Sequence, residues 1–333
     1  MLDRDSLVAK LRKKFKSIMP DKSALEDAEV KYLSSGILAL DYALGGGFPR
    51  GNITHIWGPD GAGKTTSMIP VVSSVQHNPV INGLTLYIAN EPKIDERIFY
   101  RHGVDPDKVI FAKTRDINNP LDGNKTMNMV RDSLGLVDLI IVDSVAGLTT
   151  GVEYDMNSED YAIGKIANLL SRQLPMIASV LAATDTVLIL LNQERANFEQ
   201  YGKKTKPFAG YALTHWVAVR AWIRRQRFIY DADKVVIGYS PKVTIEKNDF
   251  HPPRGQAEWD MNFATGIDYP SSVFTLAHDM KLIKYAGSWK LGEVSLNYPE
   301  GKGEDDARAR VAAEPDLVKL IEEAVFQYMN KEN

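Results

Sequence analysis

The sequence predicts an α/β protein with a mostly parallel central sheet, an N-terminal helix and a small α+β module at the C-terminus. Three observations lead to this fold class. A glycine-rich motif separates a strand-like run from a helix-forming run. Continuous apolar runs of strand length recur along the first two thirds of the chain. Longer amphipathic segments lie between these runs, an alternation typical of doubly wound α/β domains.

The glycine-rich motif predicts a binding site for ATP and Mg²⁺. Residues 53–57 before it have the β-branched and aromatic composition of a strand, and residues 65–77 after it can begin as a helix. Small residues let backbone N–H groups surround a phosphate, and the helix N-terminus adds its positive dipole end. We expect Lys64 to reach the β- and γ-phosphates and Thr65 to hold Mg²⁺. The motif consists of Gly58, Pro59, Asp60, Gly61, Ala62, Gly63, Lys64 and Thr65, with Thr66 behind it.

The remaining elements follow in chain order. Residues 5–18 place apolar side chains at helical spacing and basic side chains on the other face, which predicts a basic amphipathic helix. Residues 162–183 are long enough for a crossover helix, although Pro175 can kink it. Further buried strands are predicted at residues 84–89, 109–112, 139–142 and 186–191.

Beyond residue 193 the pattern changes. Residues 217–223, 242–247 and 257–261 are β-rich or alternate in polarity, which predicts an antiparallel extension of the sheet. The chain ends in an amphipathic helix over residues 315–330. We therefore expect three parts. They are an N-terminal helix and linker for contact with a neighbouring protomer (1–30), a core (31–268) and a small C-terminal domain (269–333).

The composition is that of an ordinary soluble globular protein. The 333 residues are 44% hydrophobic and 25% charged, with a net charge of −3, so nucleic-acid binding has to come from local basic clusters. Cysteine is absent, which excludes disulfides and thiolate metal sites. Because no signal-like segment begins the chain and no apolar run could cross a bilayer, we expect a cytoplasmic protein without membrane association.

Polar residues follow three of the apolar runs. Because ligands of parallel sheets bind at the carboxyl ends of the strands, we expect Glu91, Asp143 and Gln193 to converge on the phosphate loop. Asp143 can orient Mg²⁺. Glu91 can deprotonate the attacking water, and Gln193 can sense the γ-phosphate through hydrogen bonds. The alternatives are a turn-capping carboxylate for Asp143, a solvated strand end for Glu91 and a plain strand-end amide for Gln193. With Lys64, Glu91 and Gln193 are the candidate catalytic residues.

The stretch over residues 194–209 combines cations with aromatic rings. Cations contact phosphates and rings stack on bases, which is what binding of single-stranded nucleic acid requires. The alternative is a solvated surface loop whose aromatic rings pack back into the core. On the preceding helix, Lys165 and Arg172 could reach a backbone phosphate or form a solvated face. The candidate DNA-binding residues of the stretch are Arg195, Phe198, Tyr201, Lys203, Lys204 and Lys206.

These motifs, taken in order, resemble the RecA family of homologous recombinases. The resemblance extends from about residue 32 through the C-terminal segment and implies a RecA-like phosphate-loop ATPase core. It further implies a DNA-dependent ATPase that forms a helical filament on single-stranded DNA and exchanges strands with homologous duplex DNA. Single-strand-binding and loader proteins would be further partners, in a bacterial or phage-infected cell. The residues on which it rests are 34–36, 40–45, 58–66, Glu91, Asp95, 103–105, 137–146, 191–193, 219–220, 223–225, 247–248, 256–258 and 282–289.

The resemblance also implies roles for single residues. Glu91 would be the hydrolytic base, and Gln193 would link the γ-phosphate to the loop over residues 194–209. The loop over residues 151–161 would also face DNA. Adenine would lie near two side chains, Asp95 and, from the adjacent subunit, Phe263.

One departure from the family pattern concerns the subunit interface. Lys247 matches a lysine that reaches across this interface to the ATP phosphates, but Asp249 stands where the bacterial pattern has a second lysine. We hypothesise that a monovalent or second divalent cation beside Asp249 restores the lost positive charge.

Two other functions fit the same residues. One is a hexameric DNA helicase of the RecA superfamily, and the other is an ATP-gated accessory protein that loads a recombinase without exchanging strands. The ordered series of motifs favours the filament-forming recombinase.

Overall fold

The computed structural model describes residues 30–91, 94–113, 122–148, 159–196, 205–252 and 255–332. The predicted N-terminal helix lies outside these residues. From Tyr32 onward the chain forms one compact unit, so a domain boundary at residue 269 stays a prediction. Among the described helices, none combines the length and the apolar character that crossing a membrane requires.

Sixteen strands and nine helices occur in the described part of the chain. The strands are β1 Tyr32–Leu33, β2 Phe48–Pro49, β3 Ile53–Gly58, β4 Thr85–Ala89, β5 Val109–Lys113, β6 Leu139–Asp143, β7 Val187–Ala196, β8 Thr205–Pro207, β9 Val219–Tyr230, β10 Val236–Asn248, β11 Gln256–Glu258, β12 Met261–Asn262, β13 Gly266–Ile267, β14 Ile283–Tyr285, β15 Trp289–Leu291 and β16 Val294–Ser295. The helices are α1 Leu38–Leu44, α2 Met68–His77, α3 Glu96–Arg101, α4 Gly123–Ser133, α5 Glu159–Leu181, α6 Gly210–Thr214, α7 Tyr269–Asp279, α8 Glu304–Ala313 and α9 Pro315–Glu332.

The central sheet confirms the predicted α/β fold. Its strand order is β13-β12-β10-β9-β3-β7-β6-β4-β5, and the six strands from β9 to β5 are parallel. Gly58 lies opposite Gln193 in the register of β3 and β7, and Ala89 lies opposite Asp143 in β4 and β6. Since all these strands end at the same edge, the residues that follow them are brought together.

Helices cover both faces of the sheet. Successive strand residues point to opposite faces, so Ile56 packs with α1, α2, α7, α8 and α9, whereas Ile53 packs with α4, α5 and α6. This double burial explains the unbroken apolar runs in the sequence. Helix α5 continues through Pro175 as a single helix. A three-stranded antiparallel sheet of β14, β15 and β16 lies near the C-terminus.

Strand β9 differs from the prediction in its direction. It was expected to belong wholly to the antiparallel extension, but it is parallel to β3 on one side and antiparallel to β10 on the other. Both β9 and β10 also extend past the end of β3 as a long hairpin.

The strand predicted over residues 257–261 is divided into β11 and β12. Both pair with β10, on either side of a register shift between Ser240 and Pro241. Proline has no backbone N–H to donate, so the hydrogen-bond ladder is interrupted there.

Candidate nucleotide-binding site

The phosphate loop connects β3 to the turn before α2. The Lys64 ammonium group donates hydrogen bonds to the carbonyl oxygens of Gly58, at 2.9 Å, and Pro59, at 2.8 Å. Burial lowers the pKa of Lys64, although nearby carboxylates oppose this effect. Gly63 has φ +95°, and a Cβ there would come within 2.9 Å of the Tyr239 hydroxyl, so glycine is required at this position. The loop is thus held in shape by its own lysine and by the strand that covers it.

A hydroxyl and a carboxylate, the latter buried, lie beside the loop. Thr65 Oγ1 donates a hydrogen bond to Asp143 Oδ2 at 2.6 Å, and the Tyr87 hydroxyl donates to the same oxygen at 2.5 Å. Burial raises the pKa of Asp143, while these two hydrogen bonds act in the opposite direction. A hydroxyl and a carboxylate are hard oxygen ligands of the kind that Mg²⁺ prefers, so this pair fits the predicted magnesium site.

Glu91 and Gln193 contact each other across the cleft. Glu91 Oε1 accepts hydrogen bonds from Gln193 Nε2 at 3.0 Å and from Ser144 Oγ at 2.7 Å. Both Glu91 and Gln193 are half-buried. Strands β4, β6 and β7 therefore bring the predicted base, metal-orienting carboxylate and amide sensor into one cleft.

The cleft itself has a volume of about 700 Å³. One side is the phosphate loop with the strand ends, and the other side is the β9–β10 hairpin and the segment after β12. Phe263 lies at its rim in the same chain, is 58% exposed, and has its ring centroid 5.8 Å from that of Tyr239. The lining residues that the sequence did not predict include Asn90, Ala146, Gly147, Arg225, Phe228 and Tyr239.

Outside the phosphate loop, two predicted nucleotide-binding residues do not line this cleft. Asp95 caps helix α3 and forms an ion pair with Arg97 at 2.8 Å. Lys247 lies further from the strand ends, where its ammonium group contacts the Val217 carbonyl at 2.6 Å and Asp249 at 2.9 Å.

The strand register locates Lys247 relative to the phosphate loop. Lys247 pairs with Arg220, and Arg220 pairs with His55, three residues before Gly58. Three residues of a strand span about 10 Å, so Lys247 lies well away from the phosphate loop of its own chain.

The predicted DNA-binding stretch begins and ends as a β-hairpin. The Gln193 carbonyl accepts a hydrogen bond from the Phe208 N–H at 3.0 Å, and Arg195 lies opposite Lys206 in the register of β7 and β8. Phe208 is buried, so this ring belongs to the core and not to the surface loop. On α5, Lys165 is half-buried and Arg172 is exposed. The predicted residues Phe198, Tyr201, Lys203 and Lys204, and residues 151–158 of the earlier loop, lie outside the described residues.

A hydrogen bond that the sequence did not predict connects the hairpin to β9. Glu194 Oε2 accepts from Trp222 Nε1 at 3.1 Å, next to the Trp57–Trp222 ring contact of 6.2 Å. No local pattern indicates this bond because its two residues are 28 positions apart.

Comparisons with known proteins extend over nearly the whole chain. The family model of the RecA N-terminal domain matches residues 5–268. Protein RecA of Bacteroides thetaiotaomicron is 31% identical over 308 residues, which cover 91% of this chain and 89% of that protein. Protein RecA of Corynebacterium urealyticum is 31% identical over 303 residues, 90% of this chain and 78% of that protein. Protein RecA of Corynebacterium aurimucosum is 33% identical over 302 residues, 89% of this chain and 76% of that protein.

Proposed function

The chain belongs to the RecA family of homologous recombinases, and we propose that ATP binding controls its assembly on single-stranded DNA into a helical filament that performs strand exchange. The position of Gln193 is the observation that supports this proposal. Its side chain contacts Glu91 in the nucleotide cleft, and its backbone begins the hairpin of the predicted DNA-binding loop. One residue therefore joins the two sites.

Hydrolysis of ATP to ADP and phosphate uses the residues of the cleft. Lys64 and the loop amides from Gly58 to Thr66 bind the phosphates, and Thr65 and Asp143 hold Mg²⁺. Magnesium, when bound, neutralises charge on the phosphoryl group. Glu91 accepts the proton of the attacking water, because its carboxylate faces the cleft and is oriented by Ser144 and Gln193.

Gln193 transmits the state of the nucleotide to the hairpin. A γ-phosphate offers the amide nitrogen a charged acceptor in place of Glu91. Any resulting displacement of Gln193 moves the end of β7, and β8 follows because Phe208 is bonded to the Gln193 carbonyl. ATP and ADP thus favour different hairpin positions.

DNA binding relies on the cations of this hairpin. Arg195 and Lys206 lie directly opposite each other, so the hairpin presents two cations side by side. A DNA phosphate that contacts both releases counterions. Phe198, Tyr201, Lys203 and Lys204 extend the same surface by sequence, and Lys165 with Arg172 adds further phosphate contacts.

Assembly completes the nucleotide site. Lys247 cannot reach the phosphate loop of its own chain, so a head-to-tail neighbour would supply it, and contacts of this kind that do not close form filaments. Phe263, and Asp95 after release from Arg97, would contact adenine. A monovalent cation beside Asp249 stays a hypothesis, and it has to compete with Lys247, which already contacts this carboxylate. We assign the protein to DNA recombination and repair in the cytoplasm of a bacterial or phage-infected cell.

The substitution Gln193→Ala tests this coupling. We expect the wild-type protein to bind single-stranded DNA more tightly with a non-hydrolysable ATP analogue than with ADP, and Q193A to lose most of this difference. Fluorescence anisotropy of a labelled oligonucleotide measures it. The matched control is Gln226→Ala, an exposed glutamine on β9 that does not line the cleft. An unchanged response to ATP and ADP in Q193A would show that the coupling is absent.

Strand-exchange assays and electron microscopy distinguish the three candidate functions. A recombinase forms helical filaments with single-stranded DNA and the ATP analogue, and it exchanges homologous strands. Duplex unwinding without homology would favour the ring helicase, and filament loading without exchange would favour the accessory protein.

A further inference from the structure

A guanidinium group lies over the phosphate loop, although its residue is far from that loop in sequence. Arg225 is on β9 and lines the same cleft as Lys64 and Thr65. A Cβ added to Gly61, in the middle of the loop, would lie 3.7 Å from Arg225 Nη1. The guanidinium is therefore within reach of a phosphate that the loop amides bind.

The sheet fixes the position of Arg225. Strand β9 pairs with β3 as far as Trp222 opposite Trp57, and it then continues over the phosphate loop. The approach is so close that a Cβ on Gly58 would lie 2.0 Å from the Ile223 carbonyl oxygen. Arg225 thus extends from a paired strand, and residues on strands position a functional group more accurately than residues on free loops.

The charge of Arg225 has no acidic partner among the described residues. Two other arginines of β9 are neutralised, Arg220 by Glu246 at 3.1 Å and Arg227 by Asp260 at 3.0 Å. For Arg225 the described contact is the ring of Phe228, whose centroid lies 4.2 Å from the guanidinium carbon. When a guanidinium stacks on a ring, its N–H groups lie in the guanidinium plane and can still donate hydrogen bonds to a ligand.

The cleft needs a second cation when a nucleotide binds. Of the described residues that line it, Lys64 and Arg225 are cationic, whereas Asp60, Glu91 and Asp143 are acidic. Lys64 also donates to two backbone carbonyls. In the described part of one chain, Arg225 is thus the second positive charge that can face a polyphosphate.

We propose that Arg225 binds the polyphosphate of the nucleotide held by its own chain. This inference rests on the proposed function, because it takes ATP as the ligand of the cleft. The planar fork can donate two parallel hydrogen bonds to phosphate oxygens, and stacking on Phe228 reduces the entropy lost on binding. A positively charged residue of the β9–β10 hairpin would then close the cleft on the side opposite the strand ends.

ATP binding by the full chain in the absence of DNA tests the inference. Charge-assisted hydrogen bonds are strong, so we expect Arg225→Ala to weaken ATP binding about tenfold or more in isothermal titration calorimetry. The control is Arg224→Ala, the adjacent residue, which lies over Trp222 at 5.7 Å and does not line the cleft. We expect the ATP affinity of R224A to stay within about twofold of the wild-type value, because the charge of Arg224 does not face the ligand. Arg225→Lys keeps the positive charge but not the planar pair of donors, so it should lose less ATP affinity than R225A.

The outcomes that overturn the inference differ from those that overturn the function. If folded R225A binds ATP as tightly as the wild type, or if R224A loses as much as R225A, the inference is wrong. Circular dichroism and the melting temperature establish that each variant is folded, and R225K keeps the test valid if R225A does not fold. A folded wild-type protein that binds no ATP would contradict the proposed function instead.

Discussion

A single buried histidine makes the stability of this protein sensitive to acid. His55 is fully buried on β3, and its Nε2 lies 3.2 Å from Asn192 Nδ2. Burial, with a smaller contribution from Arg220, lowers the pKa of His55 to about 3. An unfolded histidine titrates near its ordinary value of about 6.5. As the pH falls below that value, the unfolded chain binds a proton that the folded chain does not bind, and stability is lost.

The substitution His55→Gln tests this acid sensitivity. At pH values between about 6 and 3 the wild-type protein should lose up to about 1.4 kcal/mol of unfolding free energy per pH unit through His55. Urea denaturation at a series of pH values should show a smaller acid loss for H55Q. If the unfolding free energy falls equally steeply with pH in both proteins, the acid sensitivity does not come from His55.

Asp41 changes stability with pH in the opposite direction to His55 and therefore provides an internal control. Burial raises the pKa of Asp41 to about 6, against hydrogen bonds from Ser34 and Ser35. Its folded pKa thus exceeds its unfolded pKa, so it adds stability as the pH falls from about 6 to about 4. Asp41→Asn should therefore steepen the acid loss that H55Q reduces.

Between elements, the contact of β7 with β9 holds the hairpin of the proposed DNA-binding loop. Glu194, directly after Gln193, is bonded to Trp222, and Trp222 lies on the strand that continues over the phosphate loop. Asn192 adds a hydrogen bond from its Nδ2 to the Phe208 carbonyl at 2.7 Å. Hydrogen bonds therefore hold the start of the hairpin on both sides, from Glu194 to β9 and from Asn192 to Phe208.

The substitution Trp222→Phe removes the hydrogen bond to Glu194 while keeping an aromatic ring. A hydrogen bond to a charged group contributes about 1.5 to 3 kcal/mol, roughly a factor of 10 to 150. Because only part of this loss reaches the DNA site, we expect DNA affinity in the presence of ATP to fall roughly 3- to 30-fold. ATP affinity in the absence of DNA should change less than about twofold, because Trp222 does not line the cleft.

The control for this variant is Trp216→Phe, which alters a tryptophan that is 42% exposed. Nucleotide-dependent tryptophan emission should be reduced in W222F and retained in W216F. Normal DNA affinity in W222F would show that the bond to Glu194 does not position the hairpin.

For the whole molecule, the separation of Lys247 from the phosphate loop predicts a nucleotide site shared between protomers. Lys247 is level with His55 of β3, three residues before Gly58, so each interface would combine the phosphate loop of one copy with Lys247 of the next. A site shared in this way would make ATP hydrolysis dependent on assembly.

Mixing two inactive variants tests the shared site. Lys64→Ala and Lys247→Ala should each have little DNA-stimulated ATPase activity alone. In an equal random mixture, roughly a quarter of the interfaces combine an intact Lys64 with an intact Lys247, so that fraction of wild-type activity should return. The control is a mixture of Lys64→Ala with Glu91→Gln, which should recover nothing because both changes remove a residue of the same side of the site. Activity of the first mixture equal to the mean of the separate variants would exclude a shared site.

The sequence alone determined the parts of this protein whose chemistry is local. The phosphate loop is contiguous in the chain, and parallel strands end at a common edge, so the convergence of Glu91, Asp143 and Gln193 follows from their positions directly after strands of a parallel sheet. The α/β fold class follows from the same apolar runs. The burial of Phe208 was not predictable, because the composition of residues 194–209 does not show which ring returns to the core.

Only the tertiary structure decided which distant residues meet. Arg225 reaches the phosphate loop because β9 lies beside β3 and is longer than β3. Lys247 is kept away from it by the register of β10 on β9, and Glu194 contacts Trp222 across the end of β3. Local patterns of polarity and propensity encode helices, strands and turns, but they do not encode sheet order and register. These depend on the packing of the whole chain, which brings residues far apart in sequence into contact.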